Sequence, residues 1–81
     1  MKYIVTRTEQ GKEEIFIFPV AVHHDVMYHA VSRLKDSSRS LRWVRIDREL
    51  VSAGFYENGL CYGRSETLNV ESRGQIDERL I

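Results

Sequence analysis

Cysteine is almost absent from this chain, since Cys61 is the only one among 81 residues. A single cysteine excludes an internal disulfide, on which small secreted domains usually depend. No apolar run approaches the roughly 18 residues that a membrane span requires, and the first residues are too polar for a signal peptide. We therefore expect a cytoplasmic chain that has no membrane partner.

Proline is also scarce, with one residue, and glycine contributes five. Charged residues make up 30% of the chain and hydrophobic residues 42%, which is typical of globular proteins rather than disordered or fibrous ones. A chain of this length can bury one contiguous core. The sequence therefore predicts a single domain over residues 1–81.

The N-terminal part of the chain predicts two strands and one helix. Residues 2–7 and 14–18 are rich in β-branched and aromatic residues and flank a turn, which favours a hairpin. Apolar residues on both faces of 14–18 predict that this strand is central in its sheet. Residues 26–34 follow with apolar residues at helical spacing, and Asp25 is a suitable N-cap. The buried helix face should consist of Val26, Met27, Ala30, Val31 and Leu34.

The C-terminal part predicts further strands and a short helix. Residues 41–46 favour a strand, although a helical turn through 47–50 stays open. Asn58-Gly59 predicts a hairpin between 51–56 and 60–64, because both residues tolerate positive φ. Ser72 precedes Gln75 in a weak capping-box pattern, followed by Ile76, Leu80 and Ile81 on one helical face.

These elements together predict an α+β fold. We expect a small antiparallel sheet of two hairpins, about four strands, with one helix packed on a face and a short C-terminal helix. The sequence leaves the strand order and the oligomeric state open.

Three histidines and a carboxylate near the start of the predicted helix suggest a metal site. The residues are His23, His24, Asp25 and His29, which are types that bind zinc or nickel. However, His23 and His24 precede the helix, and no fourth ligand has a recognisable spacing. We expect surface or capping histidines, no metal and no cofactor.

Catalytic motifs are lacking elsewhere too. Cys61 lies in a predicted strand with no signature that places a base beside it, so a structural thiol is expected. Gly54 and Gly63 lack the spacing of phosphate-binding loops, and inside strands they indicate a bulge or a close approach of another segment. We therefore expect a protein that is not an enzyme and has no catalytic residues.

The distribution of charge is uneven although the net charge is zero. Residues 33–48 contain six basic and two acidic groups, whereas residues 49–81 contain three basic and six acidic groups. Arginine beside tryptophan is suited to gripping a protein partner or nucleic acid. A solvated rim paired to glutamates 49, 57, 66 and 71 is the alternative. The predicted partner-binding residues are Arg39, Arg42, Trp43 and Arg45.

The C-terminal part of the chain, from residue 52 onward, also resembles a known group of proteins. It has Ser52-Ala53-Gly54-Phe55, then Cys61, Gly63, Ser65, Thr67-Leu68, Val70 and Ser72-Arg73. This pattern resembles small uncharacterised proteins encoded in phages and prophages of enteric and related bacteria. Such proteins usually continue with proline where this chain has Gly74. The resemblance implies an accessory role in binding host or phage machinery, including stoichiometric inhibition, and it transfers no activity to any residue.

The leading hypothesis is thus a non-enzymatic accessory protein of phage or prophage type that binds a host or phage protein. A nucleic-acid-binding module that uses residues 33–48 is the first alternative, which the neutral net charge disfavours. A metal-binding or enzymatic protein that uses His23, His24 and His29 is the second alternative.

Overall fold

The fold was obtained as a computed structural model, which describes residues 1–32, 34–37, 42–46 and 48–81, with the backbone alone for 34–37 and 42–46. Its elements follow one another along the chain as strands, a helix, more strands and a second helix. In chain order they are β1 (Lys2–Thr8), β2 (Glu13–Phe18), α1 (His24–Val31), β3 (Leu34–Ser37), β4 (Arg42–Ile46), β5 (Arg48–Glu57), β6 (Leu60–Tyr62), β7 (Arg64–Ser65), β8 (Val70–Glu71) and α2 (Gln75–Glu78).

The main sheet contains four antiparallel strands in the order β2-β1-β5-β6. Two further strand pairs, β3-β4 and β7-β8, form separate two-stranded sheets. Residues 42–46 are therefore strand, and residues 48–50, where a helical turn was left open, belong to β5. The predicted α+β fold, with its antiparallel sheet and two helices, is confirmed.

Strand β1 is central, and its side chains alternate between two cores. Tyr3 and Val5 are fully buried on one face of the sheet, and Ile4 is fully buried on the other. The prediction that 14–18 is the central strand is wrong, because β2 lies at the edge of the main sheet. Both of its faces are apolar because the two cores extend over it, with Ile15 in one and Phe16 in the other.

Helix α1 packs on the Ile4 face, but with a different set of residues from the one predicted. Met27, Tyr28 and Val31 contact the core there, whereas Val26 and Ala30 are exposed. Leu34 belongs to β3, so it cannot contribute to the helix face.

The start of α1 also differs from the prediction. The N-cap is His23, and it makes no side-chain capping bond. Asp25 lies inside the first turn, where its Oδ1 accepts a hydrogen bond from the Val26 N–H at 2.9 Å. An acidic group in this turn still suits the positive end of the helix dipole.

The second hairpin has the turn that its sequence predicts. Asn58 has φ 50° and Gly59 has φ 82°, the positive values of a type I′ turn, so this prediction is confirmed. Gly54 allows a close approach, because a Cβ there would collide with the Tyr62 carbonyl oxygen of β6. The bulge in β5 lies elsewhere, opposite the step from Val5 to Thr6.

The C-terminal segment covers the Tyr3 face of the sheet. Helix α2 begins after Gly74, which has φ 58°, and its start has no side-chain cap, so the predicted capping box is not formed. Leu80 packs against the core of Tyr3, Val5 and Cys61, whereas Ile76 and Ile81 are exposed. In the part of the chain that is described, no helix is long and apolar enough to cross a membrane.

Candidate binding surface

A row of side chains crosses all four strands at one end of the main sheet. Lys2 of β1 lies opposite Phe18 of β2 and opposite Phe55 of β5, and Phe55 lies opposite Tyr62 of β6. Directly paired residues point to the same face, so the four side chains form one line. The rings of Phe55 and Tyr62 stack with centroids 6.0 Å apart. The row is buried at Phe18 and exposed at Tyr62.

His24, the first residue of α1, fixes the helix over this row. Its ring makes edge-to-face contacts with Phe18 at 5.6 Å and with Phe55 at 5.9 Å between centroids. Its Nε2 lies 2.8 Å from the Gly54 carbonyl oxygen, which can only accept, so Nε2 carries the hydrogen. Burial lowers the pKa of His24, although the bond to Gly54 opposes this shift. The ring is therefore neutral at pH 7.

An open cleft of about 390 Å³ lies beside this row. Its basic side chains are Lys2 and Arg64, with His23 next to them, and its acidic one is Glu66. The remaining lining is His24, Phe55, Gly63 and Thr67. We call this set of eight residues the cationic cleft. Its volume falls in the range of small-ligand sites.

Both cations of the cleft keep free hydrogen-bonding capacity. Lys2 Nζ donates to the Val22 carbonyl oxygen at 3.1 Å, and an ammonium has two further donors. One Arg64 nitrogen donates to Asn69 Oδ1 at 2.7 Å, which leaves the rest of the guanidinium fork. Within the described residues, neither cation forms an ion pair. The cleft can therefore present at least two cationic donors to a ligand.

A second depression, of about 500 Å³, adjoins the cleft and shares Phe55 with it. We call it the apolar groove. Three of its lining side chains are large, apolar and about half exposed: Met1 at 50%, Val20 at 56% and Tyr62 at 48%. Leu60, which is close to Tyr62 in β6, is 60% exposed. The other lining residues are Phe55, Tyr56, Glu57 and Asn58.

The opposite face of the sheet carries a buried polar cluster instead. Asp77 is fully buried, and its carboxylate accepts from the Tyr3 hydroxyl at 2.5 Å and from the Arg73 N–H and Nε at 2.9 and 2.7 Å. Because the Tyr3 proton goes to the carboxylate, the Ser72 hydroxyl, also 2.5 Å from the Tyr3 oxygen, is the donor in their shared bond. This cluster ties the C-terminal segment to β1.

The pKa values of the cluster show which group holds the charge. Burial raises the pKa of Asp77, but the bonds from Tyr3 and Arg73 outweigh it and lower that pKa overall. Burial, followed by the bond to Asp77, raises the pKa of Tyr3. The Ser52 hydroxyl also lowers the pKa of Asp77, although its buried oxygen makes no hydrogen bond of standard geometry. The cluster therefore contains a carboxylate and a neutral phenol.

Ion pairs lie along the sheet edge, and Arg73 links one of them to this cluster. Glu13 accepts from Arg7 at 2.6 Å and from Arg73 at 2.9 Å, and the bonds from Arg73 and Arg7 lower its pKa to about 2. Arg48 pairs with Glu14 at 2.8 Å and lies 5.4 Å over the Phe16 ring. Arg48 belongs to the basic segment 33–48, and this cation of the segment therefore makes contacts within the fold.

Two of the residues that suggested metal or thiol chemistry, His24 and Cys61, are buried. His24 is buried against two aromatic rings, while His23 and His29 are exposed. Among the described residues, no group of three or more histidine, cysteine, aspartate or glutamate side chains could hold a metal ion. Cys61 is buried in β6, and this burial raises the pKa of its thiol. A protonated, buried thiol is a poor nucleophile.

The partner-binding residues predicted from the sequence fall on the least described part of the chain. Arg39 lies outside the described residues. Arg42, Trp43 and Arg45 belong to β4, where Trp43 is in register with Asp36 and Arg42 with Ser37, but their side chains also lie outside the description. Their role in binding stays a prediction.

The cleft and the groove were missed because their residues are separated along the chain. Lys2, Phe55 and Arg64 carry no common motif, and the register of β1 with β5 and the positive φ at Gly63 bring them together. The sequence signal available was the predicted Asn58-Gly59 hairpin, whose register in the structure sets Phe55 opposite Tyr62.

Comparisons with known proteins give no relative for this arrangement. No protein-family model, no curated protein and no solved structure matches the chain.

Proposed function

We propose that this chain is a non-enzymatic binding protein whose target is another protein, docked at the apolar groove and the adjoining cationic cleft. The observation that carries the proposal is the cluster of half-exposed apolar side chains Met1, Val20, Leu60 and Tyr62 around Phe55. Soluble monomers expose single apolar residues commonly, but contiguous apolar patches mark interaction sites. Tyrosine and other aromatic residues are enriched in such sites.

The occupant we propose is a protein segment with apolar side chains for the groove and an acidic side chain for the cleft. The charges around the surface support this chemistry, because the cleft has two cations, Lys2 and Arg64, against one carboxylate, whereas the charged residue of the groove is Glu57. A partner whose charge pattern is complementary would be oriented by these groups. The phage or prophage origin implied by the resemblance remains part of the proposal, with a host or phage protein as the target.

Two valines permit a matched test. Val20 lines the groove at 56% exposure, and Val26 lies on the outer side of α1 at 54% exposure. Immobilised protein would be incubated with bacterial lysate, and the captured proteins compared between the natural chain, Val20→Ser, Tyr62→Ser and Val26→Ser. We expect a stoichiometric partner that Val20→Ser and Tyr62→Ser lose at least about tenfold and that Val26→Ser retains.

Three results would count against the proposal. The first is that the groove variants and Val26→Ser capture the same amount of partner, whether that amount is retained or lost. The second is concentration-dependent self-association in sedimentation that Val20→Ser abolishes, because a second copy would then occupy the groove. The third is binding to labelled DNA or RNA that falls by orders of magnitude between about 50 and 200 mM salt, the behaviour of a phosphate-binding surface.

A further inference from the structure

The cationic cleft has a composition that selects one class of ligand. Two cations with free donors, Lys2 and Arg64, line it together with a single carboxylate, Glu66. Its wall is aromatic, formed by Phe55 and the buried ring of His24. Cationic donors bind anionic oxygens through charge-assisted hydrogen bonds, and an aromatic wall favours an apolar or planar body beside them.

Phe55 connects the cleft to the apolar groove, since it lines both. Its ring stacks on Tyr62, so an aromatic surface continues from the cleft into the groove. A ligand whose anionic group lies between Lys2 and Arg64 can therefore extend its apolar part across Phe55. A fully polar anion would leave this surface unused.

We infer that the cationic cleft is a binding site for an anionic group, a carboxylate or a phosphate ester, attached to an apolar or aromatic body. One source of this anionic group is an acidic side chain of the partner protein, and for that source the inference rests on the proposed function. The other source is a free small molecule of the same chemistry. Both place the charge between Lys2 and Arg64 and the apolar body on Phe55.

The test uses small probes and needs no partner. Amide and side-chain NMR signals of the isotope-labelled chain would be followed during titration with benzoate, benzamide, phenyl phosphate and inorganic phosphate. We expect benzoate and phenyl phosphate to shift signals of Lys2, His24, Phe55 and Arg64. Benzamide has nearly the same shape but no charge, so it should bind several-fold more weakly. Inorganic phosphate should also bind more weakly, because it lacks the apolar body.

Charge variants with matched controls identify the site. Lys2→Gln and Arg64→Gln should each weaken benzoate binding about two- to fivefold, the effect of one partly exposed charge. Glu66→Gln should strengthen it about twofold. Lys12→Gln and Arg79→Gln alter exposed cations elsewhere on the protein and should change nothing.

The affinity distinguishes the two sources. Submillimolar binding of a free probe indicates a small-molecule ligand. Millimolar binding, together with loss of partner capture in Lys2→Gln and Arg64→Gln, indicates a side chain of the partner. Equal binding of benzoate and benzamide, no binding at all, or equal weakening by the control variants would overturn the inference. If benzoate binds at the cleft but substitutions of Val20 and Tyr62 do not change partner capture, the proposed function is wrong and the inferred anion site is still supported.

Discussion

The buried carboxylate of Asp77 should be one of the most sensitive positions for stability. Asp77→Asn keeps the size of the side chain but removes its charge and one acceptor oxygen. The amide would then direct an N–H group toward a donor, either the Tyr3 hydroxyl or Arg73. The buried cluster could no longer satisfy all of its hydrogen bonds.

The magnitude follows from the bonds that are lost. Removing one partner of a buried ion pair costs about 3 to 5 kcal/mol, and a charge-assisted hydrogen bond contributes about 1.5 to 3 kcal/mol. The Arg73 side chain is 24% exposed, so water can solvate part of the guanidinium. We therefore expect Asp77→Asn to lower the free energy of unfolding by about 2 to 4 kcal/mol. For a domain of this size, that corresponds to a fall in Tm of roughly 10 to 25 °C.

Urea unfolding followed by circular dichroism at pH 7 measures this change. Glu71→Gln, at an exposed carboxylate, is the control and should stay within about 0.5 kcal/mol of the natural chain. Tyr3→Phe completes a double-mutant cycle with Asp77→Asn, and a coupling of about 1 kcal/mol or more is expected for residues in contact. A loss below about 1 kcal/mol for Asp77→Asn would refute the account of the cluster.

Three further predictions concern the pH dependence and the glycines. Glu13 has a folded-state pKa of about 2, against an ordinary value of 4.5; its contribution to stability is therefore complete above about pH 4.5 and is lost as the pH falls toward 2. Urea titrations across this range should show Glu13→Gln with a shallower loss than the natural chain, and parallel curves would contradict the assignment. Gly54→Ala should destabilise the protein by about 2 kcal/mol or more, because its Cβ meets the Tyr62 carbonyl oxygen and the Ser72 Cβ, an overpacked site; an unchanged urea midpoint would contradict this contact. Gly59→Val should cost about 1 to 2 kcal/mol through backbone strain alone, since nothing lies near its Cβ position, and amide chemical shifts should show disruption confined to the second hairpin.

Sequence patterns predicted the two hairpins of this fold well, because each hairpin depends on residues that are close together in the chain. The Asn58-Gly59 turn needs only residues that accept positive φ, and the first hairpin needs only two β-rich segments around a glycine. Neither depends on distant parts of the chain. Such features are decided by the backbone preferences of a few neighbouring residues.

Predictions about burial failed where a polar group takes part in the core. The helix face was assigned from apolar residues alone, which selected Val26 and Ala30. The structure instead uses His24, whose ring packs between Phe18 and Phe55, and Tyr28, whose hydroxyl donates to the Arg48 carbonyl oxygen at 2.7 Å. These two rings bury apolar surface while their polar atoms keep hydrogen bonds. The partners lie 30 and 20 residues away along the chain, so local periodicity gives no sign of them.

The same reasoning explains why the candidate surface differs from the predicted one. Trp43 and its neighbouring arginines attract notice because they are close in sequence, whereas the cleft joins β1, the start of α1, β5 and the segment 63–67. A binding surface on a sheet is made by register, and register becomes known only with the strand order. The two surfaces remain separable by experiment: loss of the captured partner in Trp43→Ala, with full retention in Val20→Ser and Tyr62→Ser, would place the interface on β4. The opposite pattern would place it at the end of the main sheet, where four strands bring Phe18, Lys2, Phe55 and Tyr62 into one line.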